Sequence, residues 1–188
     1  MGKESKNCRF QRVQWVLLVL FGLPASGKSC LAKYLSAYHH QFLQFQFHIC
    51  FDDEYDEVEK TSILNNEKES FPELWHQSRR RCFDEARNIL KANMCMKITE
   101  RHRPNTDDVR VIIFDDNFFY QSMRHEVYKL AQEFGCSYAQ VHCISEDIEA
   151  AIERDSLREG RARVGAATLR RMAAALEPAA PRARPWER

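Results

Sequence analysis

Hydrophobic and polar residues follow one another along this chain in blocks that predict strands separated by helices. Two continuous apolar runs of strand length, residues 16–21 and 109–114, are typical of buried strands in a parallel sheet. Two weaker runs, residues 44–51 and 137–144, predict two more strands, the first from its alternation of polar with apolar residues. Strands that alternate with helices predict an α/β fold with a central parallel sheet and flanking helices.

Helical spacing of apolar residues marks the segments between the strands. It predicts helices over residues 30–38, 71–94, 120–134, 145–157 and 166–176, with Gly135 ending the third and Ser145 capping the fourth. A Ser-Phe-Pro-Glu sequence at 70–73 fits a capping box with proline in the first turn. Charged and polar composition predicts a mobile loop or broken helix at 54–68, a loop at 97–108 and an extended, disordered end at 177–188.

The first apolar run leads into Gly-Leu-Pro-Ala-Ser-Gly-Lys-Ser at residues 22–29, a phosphate-binding pattern in the strand–loop–helix context that it requires. The glycines let successive N–H groups turn toward phosphate oxygens, and the following helix adds its positive dipole end. Lys28 is predicted to reach the β- and γ-phosphates of a nucleoside triphosphate, and Ser29 to bind Mg²⁺. The alternative is a glycine turn with a solvated lysine. The predicted nucleotide-binding residues are Gly22, Leu23, Pro24, Ala25, Ser26, Gly27, Lys28, Ser29 and Cys30.

Two acidic pairs follow the second and third predicted strands, at residues 52–53 and 115–116. Carboxyl ends of parallel strands share one edge of the sheet, so these side chains are expected at the phosphate loop. Phosphoryl transfer needs a carboxylate at the acceptor hydroxyl and another near the metal. We assign the base role to Asp52 and the metal role to Asp115, with Asp116 as the other metal candidate. The alternative is that each aspartate only caps a helix or forms a turn.

Two arginines, Arg154 and Arg158, are four residues apart and are predicted to share a helix face. Guanidinium groups on a segment that closes over ATP would stabilise charge on the transferred phosphoryl group. The alternative is a solvated helix end that pairs with Glu153 and Glu159.

Length and composition limit the organisation. The 188 residues suffice for one α/β domain, predicted at 13–160 between a flexible tail at 1–12 and a basic tail at 161–188. Residues 151–188 carry nine arginines against five acidic residues, which favours phosphate contacts. Seven cysteines without a C-x-x-C pair favour reduced thiols and a cytoplasmic protein, and no apolar run is long enough to span a membrane.

The run Asp-Asp-Asn-Phe-Phe-Tyr-Gln-Ser-Met-Arg that begins at residue 115 resembles the stretch after the third strand in the L-seryl-tRNA(Sec) kinase family, also called O-phosphoseryl-tRNA(Sec) kinase. The phosphate loop, the aspartates at 52–53 and the two arginines sit where that P-loop kinase family has them. The resemblance covers about residues 13–186 and implies a P-loop NTPase-like three-layer fold. It also implies ATP- and Mg²⁺-dependent phosphorylation of the serine of seryl-tRNA(Sec), with Asp52 as base, Lys28 and Ser29 at ATP and Mg²⁺, and Arg154 and Arg158 as the lid.

This sequence departs from the family in three ways. Chains of the family continue past residue 188 into a further strand and a tRNA-gripping region, so 161–188 is expected to be the start of such a region. Cys30 stands where Thr is frequent, and the segment between residues 54 and 108 is short. The alternatives are therefore a P-loop kinase for a small metabolite or polynucleotide, and an ATP-binding form without activity.

Overall fold

A computed structural model describes residues 14–37, 45–64, 71–94, 109–145 and 147–187. It contains one parallel sheet with strands β1 (Gln14–Phe21), β2 (Phe45–Cys50), β3 (Val109–Asp115) and β4 (Ser137–His142). The strand order is β2-β3-β1-β4, with β1 between β3 and β4. The predicted α/β fold with a central parallel sheet is confirmed.

The strand register brings the carboxyl ends of all four strands to one edge of the sheet. Asp115 at the end of β3 lies beside Leu20 of β1 and Cys50 of β2. Phe21, the last residue of β1, lies beside His142 of β4. Loops that leave this edge from different strands therefore meet, which is the arrangement in which open α/β sheets bind ligands.

Six α-helices and two short 3₁₀ helices surround the sheet within the described residues. The α-helices are α1 (Lys28–Ala37), α2 (Phe51–Leu64), α3 (Phe71–Met94), α4 (Gln121–Phe134), α5 (Ile148–Ser156) and α6 (Ala166–Ala175). The 3₁₀ helices span Gly160–Ala162 and Pro185–Glu187. Among the described residues, no helix combines the length and apolar character that crossing a membrane requires.

Among the described residues, two hydrophobic cores cover the two faces of the sheet and make the fold three-layered. The larger core joins side chains such as Leu17 and Phe114 to Leu90 of α3 and Leu130 of α4. The smaller core, on the opposite face, holds Ala32 of α1 among strand residues. Full burial of an aliphatic or aromatic side chain contributes about 1.5–3 kcal/mol, so the apolar strands fix the register of the sheet.

The expectation of a loop or broken helix at residues 54–68 is wrong as far as Leu64, because α2 extends from Phe51 to Leu64. Asp52, Asp53 and Glu54 lie in its first turn, where acidic groups interact favourably with the helix dipole. α2 packs along α3, and Val58 of α2 is buried. A mostly solvated helix has few apolar positions, so its periodicity is too weak to identify it in the sequence.

Other boundaries were predicted with mixed success. α3 begins at Phe71 and ends at Met94 as expected, and Gly135 ends α4 with a φ of 64°. The predicted cap of α5 is wrong, because Asp147 rather than Ser145 accepts the hydrogen bond from the Ala150 amide. The predicted flexible tail at 1–12, the capping serine at 70 and the loop at 97–108 lie outside the described residues.

The expectation of an extended, disordered end is wrong for residues 177–187. The segment turns back, forms the 3₁₀ helix Pro185–Glu187 and buries the side chain of Glu187. The ring of Trp186 packs against the rings of His125, Tyr128 and Tyr138. Proline content predicted the break in helical structure, but it carried no information on these long-range contacts.

Candidate nucleotide-binding and phosphoryl-transfer site

The phosphate loop begins at Gly22, which is confined between two other loops at the sheet edge. A Cβ atom added to Gly22 would lie 2.3 Å from the Cys143 carbonyl oxygen, and its φ is 145°. Its N–H donates to the Asn117 carbonyl at 2.9 Å. Only glycine allows this close approach of three backbone segments, so the first motif glycine has a steric reason.

The second glycine lies on an open side of the loop. A Cβ atom on Gly27 would meet no other atom within 4 Å, and its φ is 93°. The nearby Ser26 Oγ is buried and has no hydrogen-bond partner among the described residues. An open backbone surface, a buried hydroxyl without a partner and the N-terminus of α1 fit the binding of phosphate oxygens.

Lys28 is buried at the mouth of this loop. Its Nζ donates to the carbonyl oxygens of Gly22 at 3.2 Å and Leu23 at 2.7 Å. Burial lowers the pKa of Lys28, and the charges of Asp116 and Asp115 partly offset this effect. The ammonium group is thus kept at the loop by hydrogen bonds that a phosphate oxygen could replace.

The remaining predicted loop residues fall into two groups. Pro24 and Ala25 are buried, and Ala25 adopts a positive φ of 62°. Ser29 and Cys30 are exposed in the first turn of α1. The hydroxyl of Ser29 therefore lies at a solvent-accessible helix N-terminus, as a metal-binding role requires.

The two β3 aspartates, Asp115 at the end of β3 and Asp116 directly after it, are both largely buried beside this loop. The Asp115 carboxylate is paired with His48 of β2, with 3.0 Å between Oδ2 and Nε2. Asp116 Oδ1 accepts the Asn117 N–H at 2.6 Å, and its Oδ2 lies 3.7 Å from Nη1 of Arg79. Burial raises the pKa of Asp116, whereas the Asn117 N–H, Arg79 and Lys28 act in the opposite direction.

Asp52 lies in the first turn of α2, at the rim of the same edge. Its side chain is exposed, yet partial loss of solvent and the charges of Asp116 and Asp115 raise its pKa. The charge of Lys28 acts in the opposite direction and lowers the pKa of Asp52. The structure brings Asp52, Lys28 and the β3 aspartates to one edge.

The expectation that Arg154 and Arg158 share a helix face is wrong, because α5 ends at Ser156. Arg154 turns back along α5 and donates to the Ala150 carbonyl and to Ser145 Oγ. Arg158 lies beyond the helix, donates to the Ala162 carbonyl and helps to lower the pKa of Lys28. Both side chains are exposed, and the charge of Arg158 acts on Lys28 of the phosphate loop.

Sequence reasoning missed two basic residues that contact the β3 aspartates, His48 and Arg79. Arg79 of α3 is buried among four aromatic rings and pairs with Glu126 of α4 at 2.8 Å. In the sequence, His48 is only one polar residue of an alternating strand. Neither residue belongs to a local motif. For Arg79, the one available signal is that an arginine stands at a helix position otherwise occupied by core residues.

The described residues contain no group of three or more His, Cys, Asp or Glu side chains that could form a metal cage. Mg²⁺ usually keeps several waters and takes one or two carboxylates together with substrate phosphates. The predicted ligands Ser29 and Asp115 are compatible with that mode of binding, which does not require a cage.

A parallel sheet with β1 in the interior, followed by a G-x-x-x-x-G-K-S loop and a helix, defines a P-loop NTPase-like fold of the kinase type. The chain belongs to the KTI12 family, described as chromatin associated protein KTI12, whose sequence pattern matches residues 16–188.

The sequence resemblance to L-seryl-tRNA(Sec) kinase is also confirmed. The human enzyme of that name is 33% identical over 76 residues, which cover 40% of this chain and 21% of the relative. The mouse enzyme is 32% identical over 69 residues, which cover 37% and 18%. The chain therefore matches about a fifth of the length of these curated relatives.

Solved structures support the fold. Kti12 of Chaetomium thermophilum in complex with ADP-AlF3 has a TM-score of 0.54 at 19% identity, covering 91% of this chain and 85% of that chain. A chain of the Pnkp1/Rnl/Hen1 RNA repair complex has a TM-score of 0.59 at 16% identity, covering 92% and 47%. At identities this low, the similarity is one of fold alone.

Proposed function

We propose that this chain binds ATP with Mg²⁺ and transfers the γ-phosphoryl group to the serine hydroxyl of seryl-tRNA(Sec), giving O-phosphoseryl-tRNA(Sec). The observation that carries the proposal is the convergence of Lys28, Asp52 and the β3 aspartates at one edge, where Lys28 and both aspartates act on the pKa of Asp52 and both aspartates act on the pKa of Lys28. The similarity to the human seryl-tRNA(Sec) kinase favours this acceptor over others.

Each residue has a defined role in the proposal. The loop amides, Ser26 and Lys28 bind the triphosphate, and Lys28 stabilises negative charge on the phosphoryl group during transfer. Asp52 accepts the proton of the serine hydroxyl, whose oxygen forms the new bond to phosphorus as the bond to ADP breaks. Arg158 supplies a further positive charge, and Arg154 joins it if α5 shifts over the nucleotide.

Mg²⁺, when bound, would neutralise charge on the phosphates. Ser29 and Asp115 would hold it. Asp116 is the alternative to Asp115, but its Oδ1 already accepts the Asn117 amide and its Oδ2 lies 3.7 Å from Nη1 of Arg79. His48 orients the Asp115 carboxylate through a 3.0 Å contact with Oδ2. The other oxygen, Oδ1, makes no contact with His48.

A second candidate, nucleotide binding without transfer, is favoured by one observation. Asp52 is exposed, and no hydrogen bond fixes its carboxylate among those described, so a base in this position would depend on bound substrate for its orientation. A small-metabolite or polynucleotide acceptor uses the same residues and is a further outcome of the experiment.

The experiment measures transfer of radiolabelled γ-phosphate from ATP to seryl-tRNA(Sec). Parallel reactions contain seryl-tRNA(Ser), a polynucleotide 5′ end, a set of small hydroxyl metabolites, or no acceptor. We expect transfer to seryl-tRNA(Sec), and its loss in Asp52→Asn but not in Asp53→Asn, an exposed neighbour in the same helical turn. ATP binding without transfer to any acceptor would select the second candidate. Transfer that Asp52→Asn leaves unchanged would remove Asp52 from the mechanism.

A further inference from the structure

A fully buried arginine in α4 links the C-terminal segment, residues 176–187, to the loop after β3. Arg124 Nη2 donates to Glu187 Oε1 at 2.8 Å, and neither side chain is exposed to solvent. Arg124 Nη1 donates to the Phe118 carbonyl at 3.0 Å. The same guanidinium group lies over the ring of Phe21, 4.4 Å from its centroid, immediately before the phosphate loop.

Glu187 is itself fixed on its second oxygen. Its Oε2 accepts the Ala180 N–H at 2.8 Å and the Arg184 Nε–H at 2.6 Å. Gln140 of β4 donates to the Glu187 backbone carbonyl at 2.8 Å. A buried carboxylate with both oxygens hydrogen-bonded holds its partner in one geometry, so the position of Arg124 depends on the C-terminal segment.

Glu177 provides a second connection between this segment and the same loop. Its backbone N–H donates to the Phe119 carbonyl at 2.9 Å, and its carboxylate accepts the N–H of Gln121, the first residue of α4. The side chain of Tyr120, at the N-cap position of α4, makes no capping hydrogen bond. Glu177 therefore caps α4 from a distance of more than 50 residues in sequence.

The loop held in this way, residues 116–120, contacts the phosphate loop directly. Phe118 is fully buried with a φ of 43°, a left-handed conformation that is unfavourable for phenylalanine and needs support from its surroundings. The carbonyl of Asn117 accepts the Gly22 N–H, so a displacement of this loop would move the first residue of the phosphate loop. We propose that Arg124 and Glu187 are positioning residues through which the C-terminal segment sets the geometry of the nucleotide-binding loop.

The proposal rests on the proposed function only for its nucleotide-binding measurement. The test compares wild type with the double variant Arg124→Met/Glu187→Leu, in which apolar side chains of similar volume replace the ion pair. Such replacements of buried ion pairs are often neutral for stability. They remove the hydrogen bond to the Phe118 carbonyl from a protein that still folds. An effect on the nucleotide-binding loop can therefore be measured separately from unfolding.

Three quantities are measured: the thermal midpoint, the dissociation constant for Mg·ADP, and amide hydrogen exchange of a peptide that contains Gly22. We expect the double variant to fold with a lower thermal midpoint, because the Phe118 carbonyl and the Ala180 N–H lose their partners. We also expect it to bind Mg·ADP at least tenfold more weakly and to exchange faster at Gly22. Leu130→Ala, in the buried core about two turns along α4, is the control. It should lower the thermal midpoint without weakening the binding of Mg·ADP more than twofold.

A folded double variant with wild-type affinity and wild-type exchange would overturn the proposal. Failure of wild type to bind Mg·ADP would instead contradict the proposed function, and the exchange of Gly22 would then decide the present inference alone. Glu177→Ala tests the same loop and leaves the buried pair intact. We expect a two- to fivefold loss of affinity or faster exchange at Gly22, and the absence of both would overturn the proposal if the double variant does not fold.

Discussion

The phosphate loop and the C-terminal segment contact the same loop after β3, but their sequences specify them in opposite ways. The phosphate loop is specified locally, because the two glycines and the lysine within residues 22–29 and the helix that follows define its shape. The C-terminal segment has no motif, and carboxylates that reach partners 56 and 63 residues away hold it in place. A local motif thus specifies the first region, whereas contacts between residues far apart in sequence specify the second.

The largest expected effect is on the local side of this comparison. Lys28→Ala removes the ammonium group at the loop mouth, and loss of one group that stabilises transferred charge typically costs about 10²–10³ in rate. We expect phosphoryl transfer to fall by roughly that factor, measured as initial rates at saturating ATP. Lys33→Ala, an exposed lysine of the same helix, should keep the wild-type rate. Equal losses in both variants would contradict the role of Lys28.

The next effect concerns the distant side. Glu187→Ala leaves the buried Arg124 without its partner, and breaking a buried pair in this way costs about 3–5 kcal/mol of unfolding free energy. Urea denaturation measures the loss. Glu149→Ala breaks the exposed pair with Arg170, which has the same 2.8 Å separation, and should cost about 1 kcal/mol or less. Similar losses in the two variants would mean that burial does not distinguish the pairs.

A smaller effect separates the two glycines of the phosphate loop. Gly22→Ala places a methyl group against the Cys143 carbonyl, and overpacking of this kind costs about 1–3 kcal/mol. Gly27→Ala meets no atom within 4 Å and should cost only the strain of its positive φ, about 1 kcal/mol. The two unfolding free energies provide the check. A larger loss for Gly27→Ala would contradict the packing of Gly22 against the segment after β4.

The smallest effect is a pH dependence of the C-terminal segment. Burial acts to raise the pKa of Glu187, but the Ala180 amide, Arg124 and Arg184 outweigh it, so the pKa lies below the ordinary value of 4.5. The carboxylate therefore contributes stability above pH 4.5, and this contribution is lost as the pH falls from 4.5 through the lowered pKa. We expect a contribution of about 1 kcal/mol, the typical net value of one intramolecular hydrogen bond.

The check is the unfolding free energy of wild type and Glu187→Gln between pH 3 and pH 7. We expect the difference between the two proteins to shrink below pH 4.5, because protonation makes the wild-type side chain resemble the variant. A difference that stays constant over this range would contradict the lowered pKa of Glu187. The same measurement on a Glu149→Gln variant, which changes the exposed pair with Arg170, is the reference for surface charge effects.

The sequence by itself determined the parts of this protein that follow from local chemistry. Two apolar runs defined β1 and β3, Gly135 defined the end of α4, and residues 22–29 defined a phosphate loop. These features depend on backbone freedom, burial and helix periodicity within a few residues. The run that begins at residue 115 added the resemblance to seryl-tRNA(Sec) kinase, which the relatives confirm.

Only the tertiary structure decided which charged groups meet. It ended α5 before Arg158, paired Asp115 with His48 and Asp116 with Arg79, and buried Glu187 against Arg124. Charged side chains give no periodic signal, and their partners lie far away in sequence. Their positions therefore follow from the packing of the sheet and helices, because a buried charge must find a counter-charge or a hydrogen bond wherever the fold provides one.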